Sequence, residues 1–566
     1  MSTPALNMRT QPRRILVLGD DTKSFLSVVR SLGAAGYEVH AAWCAYDLPT
    51  LSSLYLHRVH RLPAFERGDE APWITALEAL IRDFRIDLVL PTNDQSALPL
   101  QLKRNRFEPL TRVYLLPDET YRLCADKNLT WELGASHGVP VPRQQHVDTV
   151  DQALQAAAGF GYPLVLKPTT SATEQDPFHR RRVHKVRSEP ETREVALEML
   201  RSGPVLAQEN FIGVGVGVEV LCDHGEILLA FQHERVHEPI QGGGSSYRRC
   251  VPLEPAMLEA TRKMMRSMDY TGVAMVEFKR NTSDGRWILV EINARFWGSL
   301  ALSVAAGVDF PLHLVRLLLE GVRPAPQTYR NNIYCRHWST DIQWFLANLR
   351  ADKRNPELQT RTFAAIASEL WNIVTLRERS DTFQLRDPRP AWQDLGQYLE
   401  EKLFRVLKML SPYRQQRQRR LRLLFATSKT IAVCCHGNIC RSPFAAQLLE
   451  SSGRTILSRG FLPLPGRRSP RNAVTAAAAF GVDLEPHRSA VLTLDEARSV
   501  DMILLFDRQN WLSLRALDPS LLARAAFLGA ADPSGPLEIS DPYGGDLSEF
   551  QLCYQRIRDA AQQLQS

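Results

Sequence analysis

The 566-residue sequence holds no apolar run approaching the roughly 18 residues needed to cross a bilayer, so no membrane-spanning helix is expected. Its first residues have no long apolar core after their arginines, only positions 15–18, which read as a strand rather than a signal peptide. Cysteine is sparse: nine residues, one adjacent pair and no regular spacing. That argues against a disulfide scaffold and for a reducing, cytoplasmic setting. No internal repeat or low-complexity tail is visible, and no Gly-x-Gly-x-x-Gly follows the first strand, which leaves a dinucleotide fingerprint unsupported. What is present is ordinary globular composition, 44% hydrophobic and 23% charged with a modest net charge of +7. The length predicts roughly three or four domains.

The most informative stretch is Val-Cys-Cys-His-Gly-Asn-Ile-Cys-Arg-Ser-Pro at 433–443. A short apolar strand (430–433) runs into a loop holding Cys435 and, six positions on, Arg441, with a helix expected from Ser442. A thiol becomes a nucleophile only as thiolate, and a helix N-terminus and nearby cations lower its pKa. The intervening backbone N–H groups can cradle a phosphate dianion, sized by Gly437 and closed by the two-pronged Arg441. Ser442 can hydrogen-bond the departing thiolate, and Pro443 suits a first helical turn. Cys434, Cys435 and Cys440 crowd together, but zinc patterns ask for two separated ligand pairs and no second pair exists. Cys440 reads instead as a redox partner able to cap Cys435.

This stretch resembles the phosphate loop of the low-molecular-weight protein tyrosine phosphatases, and the resemblance runs to the C-terminus. That family carries its general acid in a late Asp-Pro-Tyr or Asp-Pro-Trp loop, here Ser540-Asp541-Pro542-Tyr543-Gly544. The resemblance implies that Asp541 protonates the leaving phenolate and then deprotonates the water that hydrolyses a phosphocysteine. It also implies that Asn438, Ser458 and His487 brace the loop, and that His436 and Tyr543 face the substrate. Arg459 stands where the family has a small residue, and His436 where an apolar one is common. The expected substrate is a phosphotyrosyl protein or a small aryl phosphate. Arsenate reductases share this fold, and that alternative would draw on Cys440 or Cys553.

Further upstream, residues 13–43 read as strand, turn, helix, strand, and 87–94 as a buried strand ending in a polar loop. Such alternation implies a parallel sheet with its site at the strand C-terminal ends. Asp126-Lys127 opens a helix, and 162–168 is a strand delivering Lys167. Two later strands carry Glu277 and the pair Glu291 and Asn293, which, two apart, share a face. Three hard oxygen ligands toward one cleft suit Mg²⁺ on nucleotide phosphates, with Lys127 and Lys167 as point charges. The order resembles the ATP-grasp superfamily, particularly its carboxylate–amine ligases, over roughly residues 10 to 325. By resemblance, Lys127, Lys167, Glu209, Phe211, Glu219 and Arg295 contact ATP, with Glu219 at the ribose and Arg295 at the transferred phosphoryl. Glu277, Glu291 and Asn293 would hold Mg²⁺ (or Mn²⁺). Arg235 would clamp a carboxylate or acyl phosphate, and the glycines at 242–244 would form a mobile loop. The implied reaction joins a small carboxylate to an amine through an acyl phosphate. A non-catalytic ATP-sensing module regulating the phosphatase is the alternative.

Residues 326–428 read as a helical connector in which Trp338, Trp344 and Trp371 are core. Residues 399–410 form an amphipathic helix stopped by Ser411-Pro412, and an Arg-rich run (414–422) follows. A solvated helix or linker is the expectation for that run, rather than a membrane surface contact or a nucleic-acid site. The expected architecture is therefore α/β and multidomain. It comprises a pre-ATP-grasp α/β domain (1–112), an ATP-grasp α+β domain (113–325), the connector (326–428) and a doubly wound parallel-sheet phosphatase domain (429–566).

Overall fold

The apolar runs at 15–18 and 88–90 lie side by side in the middle of a parallel sheet, where both faces are covered and every side chain must be apolar. They belong to a computed structural model that describes residues 12–43, 48–63, 65, 70–168, 183–201, 203–240, 244–355, 358–450, 453–462, 465–532 and 535–565. The chain divides into two units, Met1–Leu395 and Gly396–Ser566.

The first unit opens with β1 (Arg14–Leu18), β2 (Glu38–Trp43), β3 (Arg58–Arg61), β4 (Leu88–Pro91) and β5 (Arg112–Val113), all parallel in the order β3-β2-β1-β4-β5. The order reverses between β1 and β4, so the loops after those strands meet at the crevice where such sheets bind ligands. There the Thr92 N–H donates to Leu18 O, and the Asn93 amide meets Asp20. Asn93 and Ser96 form a capping box that starts the helix Asp94–Leu102.

A small antiparallel sheet follows: β6 (Gln144–Val147), β7 (Leu164–Pro168), β8 (His184–Val186) and β9 (Val205–Glu209), ordered β6-β9-β7-β8. A larger sheet comprises β10 (Val214–Asp223), β11 (Glu226–His237), β12 (Tyr247–Cys250), β13 (Gly272–Arg280), β14 (Trp287–Asn293), β15 (Tyr334–Arg336) and β16 (Glu378–Ser380). Its order is β14-β13-β10-β11-β12-β15-β16. Alternation decides its two faces. Val216, Val218 and Val220 pack with Met257, Met264 and Tyr270 under the helix Pro255–Ser267. Gly215, Gly217 and Glu219 turn to the opposite face, which also carries Glu277 of β13 and Glu291 of β14.

The expectation of a helical connector over 326–428 is corrected. β15 and β16 extend the large sheet, and Asp381 and Asp387 are sealed inside the unit by Arg248 and Arg30. Three-residue strands give no readable periodicity, and an Arg such as Arg336 becomes buried only because Asp341 and Glu378 meet it. Trp344 is buried and stacks on His237, but Trp338 and Trp371 are 41% and 64% exposed, against the core reading.

In the second unit β17 (Thr430–Cys435), β18 (Thr455–Gly460), β19 (Met502–Leu505) and β20 (Ala525–Phe527) form a parallel sheet in the order β18-β17-β19-β20. The Arg-rich run is not a linker. It lies in the helix Ser411–Thr427, whose Leu421 and Phe425 enter this unit's core. Arg414 and Arg420 donate to Gly535 O and Leu522 O, and Gln418 donates to Ala531 O. Side chains expected to be solvated therefore cap backbone carbonyls of the same unit.

Candidate active sites

β17 delivers Cys435 at its C-terminal end, and the helix Arg441–Glu450 starts six residues later. Cys435 Sγ lies 3.0 Å from Ser442 Oγ and accepts the Asn438 N–H at 3.2 Å. Asn438 is the keystone of the loop. Its φ of +52° puts it in the left-handed region, where Asn is among the few residues tolerated. Its Nδ2 donates to Ser442 Oγ (2.8 Å) and Ser458 Oγ (2.7 Å), and its Oδ1 accepts Ala490 N–H. His487 Nε2 is 2.7 Å from Asn438 O, and burial lowers the His487 pKa, so the ring is neutral and donates through Nε2. Gly460 is required for close approach, because a Cβ there would lie 2.8 Å from Asn438 Cβ.

Arg441 is buried beneath this loop. It donates to Ile539 O (2.9 Å), pairs with Asp507 and meets Asp541 Oδ2 at 2.6 Å. Burial opposes its charge, but Asp541 and Asp507 outweigh burial and raise its pKa. Asp541 also accepts the Tyr543 N–H, and the Tyr543 ring is exposed. Burial lowers the pKa of His436, which stays neutral, and its Nδ1 has no hydrogen-bond partner among the described residues. Arg459 forks onto Glu496 (2.7 Å), away from the loop. Burial raises the thiol pKa of Cys434, Cys440 and Cys553, the last to about 12, so none of the three is disposed to ionise. The eight described cysteines are all free. Asp507 and Arg467, whose guanidinium donates to Gly437 O (2.7 Å), escaped the sequence reading. For Asp507 the available signal was its place at the C-terminal end of β19, where a parallel sheet puts its site.

In the first unit, Glu277 and Glu291 stand directly opposite each other across β13 and β14. Lys127, at the start of the helix Lys127–Ser136, meets Glu291 Oε2 at 2.7 Å and holds that carboxyl well below its usual range. Arg235 meets Glu277 Oε2 at 2.7 Å, and Asn293 Nδ2 donates to Glu291 Oε1 at 3.1 Å. Gly215 and Gly217 leave room for this arrangement, since Cβ atoms there would strike Arg235 Cδ at 2.6 Å and His233 Cε1 at 2.4 Å. Lys167 is buried with its Nζ 4.1 Å from the Trp131 ring centroid, and burial and Lys127 push its pKa down. Glu209 binds Arg143, and with Phe211 it lines a cleft of about 820 Å³ that Trp287 also borders. The donor set of two carboxylates and one amide oxygen is all hard oxygen and fits Mg²⁺.

One expected nucleotide contact is turned away from the cleft, and another is already paired. Glu219 is 0% exposed, closed off by His233 Nδ1 (2.8 Å) and Ser299 Oγ (2.6 Å), so the ribose role is corrected. Arg295 is paired through both prongs with Asp94 of the N-terminal sheet's crevice (2.8 and 2.9 Å). Of the glycine loop, 242 and 243 lie outside the described residues. Lys23 also escaped the sequence reading, because a lone turn lysine carries no signal. It donates to Ser245 O, and burial and Arg248 lower its pKa.

Lys167 carries a first prediction. ATP phosphates would restore the proton that burial and Lys127 disfavour, so binding should take up a proton at a pH between the lowered pKa and the ordinary lysine value. Calorimetry in buffers of different ionisation enthalpy reads that uptake, which Lys167→Met should abolish. Affinity should fall by roughly 2–5 kcal/mol, the cost of truncating one side of a buried charge pair. Unchanged uptake in the variant would refute the role.

A thiol at the end of a central parallel strand, met by a loop amide N–H and a serine hydroxyl beside a buried arginine, defines a cysteine-dependent phosphatase site. Residues 430–566 match the family model "Low molecular weight phosphotyrosine protein phosphatase", and residues 201–340 match "ATP-grasp in the biosynthetic pathway with Ter operon". The chain is 33% identical over 132 residues to the probable low molecular weight protein-tyrosine-phosphatase EpsP of Ralstonia nicotianae, covering 23% of this chain and 89% of that protein. It is 32% identical over 136 residues to the low molecular weight protein-tyrosine-phosphatase Etp of Escherichia coli, covering 24% and 90%. Among solved structures, a biotin carboxylase complex from Campylobacter jejuni aligns at 16% identity and a TM-score of 0.46, over 57% of this chain and 74% of that one. The chain belongs to the low molecular weight protein-tyrosine-phosphatase family through its C-terminal quarter, and an ATP-grasp domain precedes that part.

Proposed function

We propose that the protein is a bifunctional enzyme: an ATP- and Mg²⁺-dependent carboxylate–amine ligase joined to a phosphatase for phosphotyrosine or aryl phosphate. For the phosphatase, Cys435 attacks phosphorus, the P–O bond to the phenol breaks, and Asp541 gives the leaving oxygen its proton. Asp541 then takes a proton from the water that cleaves the phosphocysteine, while Arg441 and the loop amides hold the three phosphoryl oxygens. Ser442 stabilises the departing thiolate.

For the ligase, the observation that carries the reading is Glu277 opposite Glu291, with Lys127 paired to Glu291 and Lys167 close enough to feel both carboxylates. Glu277, Glu291 and Asn293 would hold Mg²⁺, which supplies charge neutralisation on the nucleotide phosphates. Lys127 and Arg235 occupy the two carboxylates in the free protein and would turn toward phosphate and substrate carboxylate when these bind. The free thiols suit a reducing, cytoplasmic setting.

The test is ADP release by the Cys435→Ser full-length chain with Mg-ATP and a pooled panel of amino acids, other small carboxylates and amines, with Glu291→Ala as the blank. ADP that depends on both the pool and Glu291 is expected. ATP binding without turnover across successive panels would favour the sensing module.

A further inference from the structure

A cluster of imidazoles on the N-terminal sheet belongs to neither active site. Glu38 and His40 project from β2, and His57 stands immediately before β3, its N–H donating to Val39 O. His40 Nε2 lies 3.0 Å from Glu38 Oε1, and His57 Nε2 lies 3.6 Å from the same oxygen. All three donor atoms fall within 4.8 Å of one another.

From these positions we infer a binding site for a divalent transition ion of the zinc class, with His40 Nε2, His57 Nε2 and Glu38 Oε1 as ligands. Zinc bonds of about 2.0–2.2 Å at tetrahedral angles put donor atoms about 3.4 Å apart. The observed 3.0 and 3.6 Å to Glu38 Oε1 bracket that separation, and the third lies within 4.8 Å. Two imidazoles and one carboxylate suit zinc, cobalt or nickel rather than Mg²⁺ or Ca²⁺. Three protein ligands leave a position for water.

The surroundings are those of a held ligand set. His40 is 1% exposed, and its Nδ1 is 2.9 Å from His60 Nε2. With a metal on Nε2, His40 carries its proton on Nδ1 and donates it to His60, the second-shell contact that fixes a ligating tautomer. The His60 and Phe84 rings lie 5.1 and 5.4 Å from that of His40 and limit its rotation. His57, with a side chain 60% exposed, provides the way in. The competing cation is Arg14 of β1, whose Nε stands 3.2 Å from Glu38 Oε1. A bound ion would take that oxygen and tie β2 to the entry of β3.

The experiment uses the full-length chain, stripped of metal and titrated with Co²⁺. The expected result is one site with the visible bands of a tetrahedral nitrogen–oxygen set and no thiolate charge-transfer band. It should be displaced by Zn²⁺, absent in His57→Ala and retained in Cys435→Ser. Zn²⁺ should also raise the melting temperature of the wild type but not of His57→Ala, as ligand binding to the native state requires. His57 is exposed, so its replacement leaves the core intact. Binding that His57→Ala does not remove, binding that disappears with Cys435, or no binding at all would overturn the assignment.

Discussion

Cys435→Ser is expected to lower aryl phosphate hydrolysis by on the order of 10⁴-fold or more, the scale seen when a covalent nucleophile is removed. The reason is local. In the native loop the Asn438 N–H and Ser442 Oγ both meet the sulfur, and the helix beginning at Arg441 adds its positive end, all favouring a thiolate. A serine hydroxyl, with an intrinsic pKa far above that of a thiol, gains nothing comparable. His487 cannot serve as a general base for it, since its Nε2 is spent on Asn438 O. Arg441 and the loop amides remain, so the variant should still bind phosphate or a phosphotyrosyl peptide. Steady-state hydrolysis with an isothermal binding measurement separates the two properties. Near wild-type turnover in the variant would move the nucleophile elsewhere, and neither Cys434 nor Cys440 is suited to it.

Asp541→Ala is expected to slow phenyl phosphate turnover by roughly 10²- to 10⁴-fold, the range of a positioned general acid. The loss should shrink with para-nitrophenyl phosphate, whose leaving group needs little protonation. In the free protein Asp541 is paired with Arg441. An arriving phosphate dianion claims that guanidinium and releases the carboxyl to face the leaving oxygen. Ser540→Ala, one residue away, should leave the rate close to wild type. Equal losses in the two variants, or a loss indifferent to the leaving group, would remove Asp541 from that role.

The loop from Cys435 to Ser442 was legible because its chemistry is local: strand, turn and helix fit within a few residues, and each position has one physical purpose. Asp541 was readable by resemblance alone. Asp507 and Arg467 were not, because only the sheet order brings β19 and the 465–471 loop to the phosphate cradle. The same holds upstream. Glu291 and Asn293 share a face by simple alternation, and pairing with Glu277 followed from neighbouring strands. That Glu219 shares this face yet is sealed by His233 depended on the β10–β11 register, which no spacing reveals. The connector misled for a different reason. A tryptophan's size suggests burial, yet Trp371 lies on a helix, Phe363–Val374, that keeps most of its apolar side chains exposed.

The helix Ser411–Thr427 bears on how the protein can be dissected. A fragment begun at the first strand of the phosphatase, near Lys429, would lose Leu421 and Phe425, which are 0% and 5% exposed. At about 1.5–3 kcal/mol for each fully buried side chain, their absence would erase a large part of the 5–15 kcal/mol typical of a whole domain. It would also bare the apolar floor they cover and strand the carbonyls that Arg414, Gln418 and Arg420 cap. Autonomy in this unit thus begins well before its recognisable catalytic motif, in an arginine-rich segment that reads as a spacer.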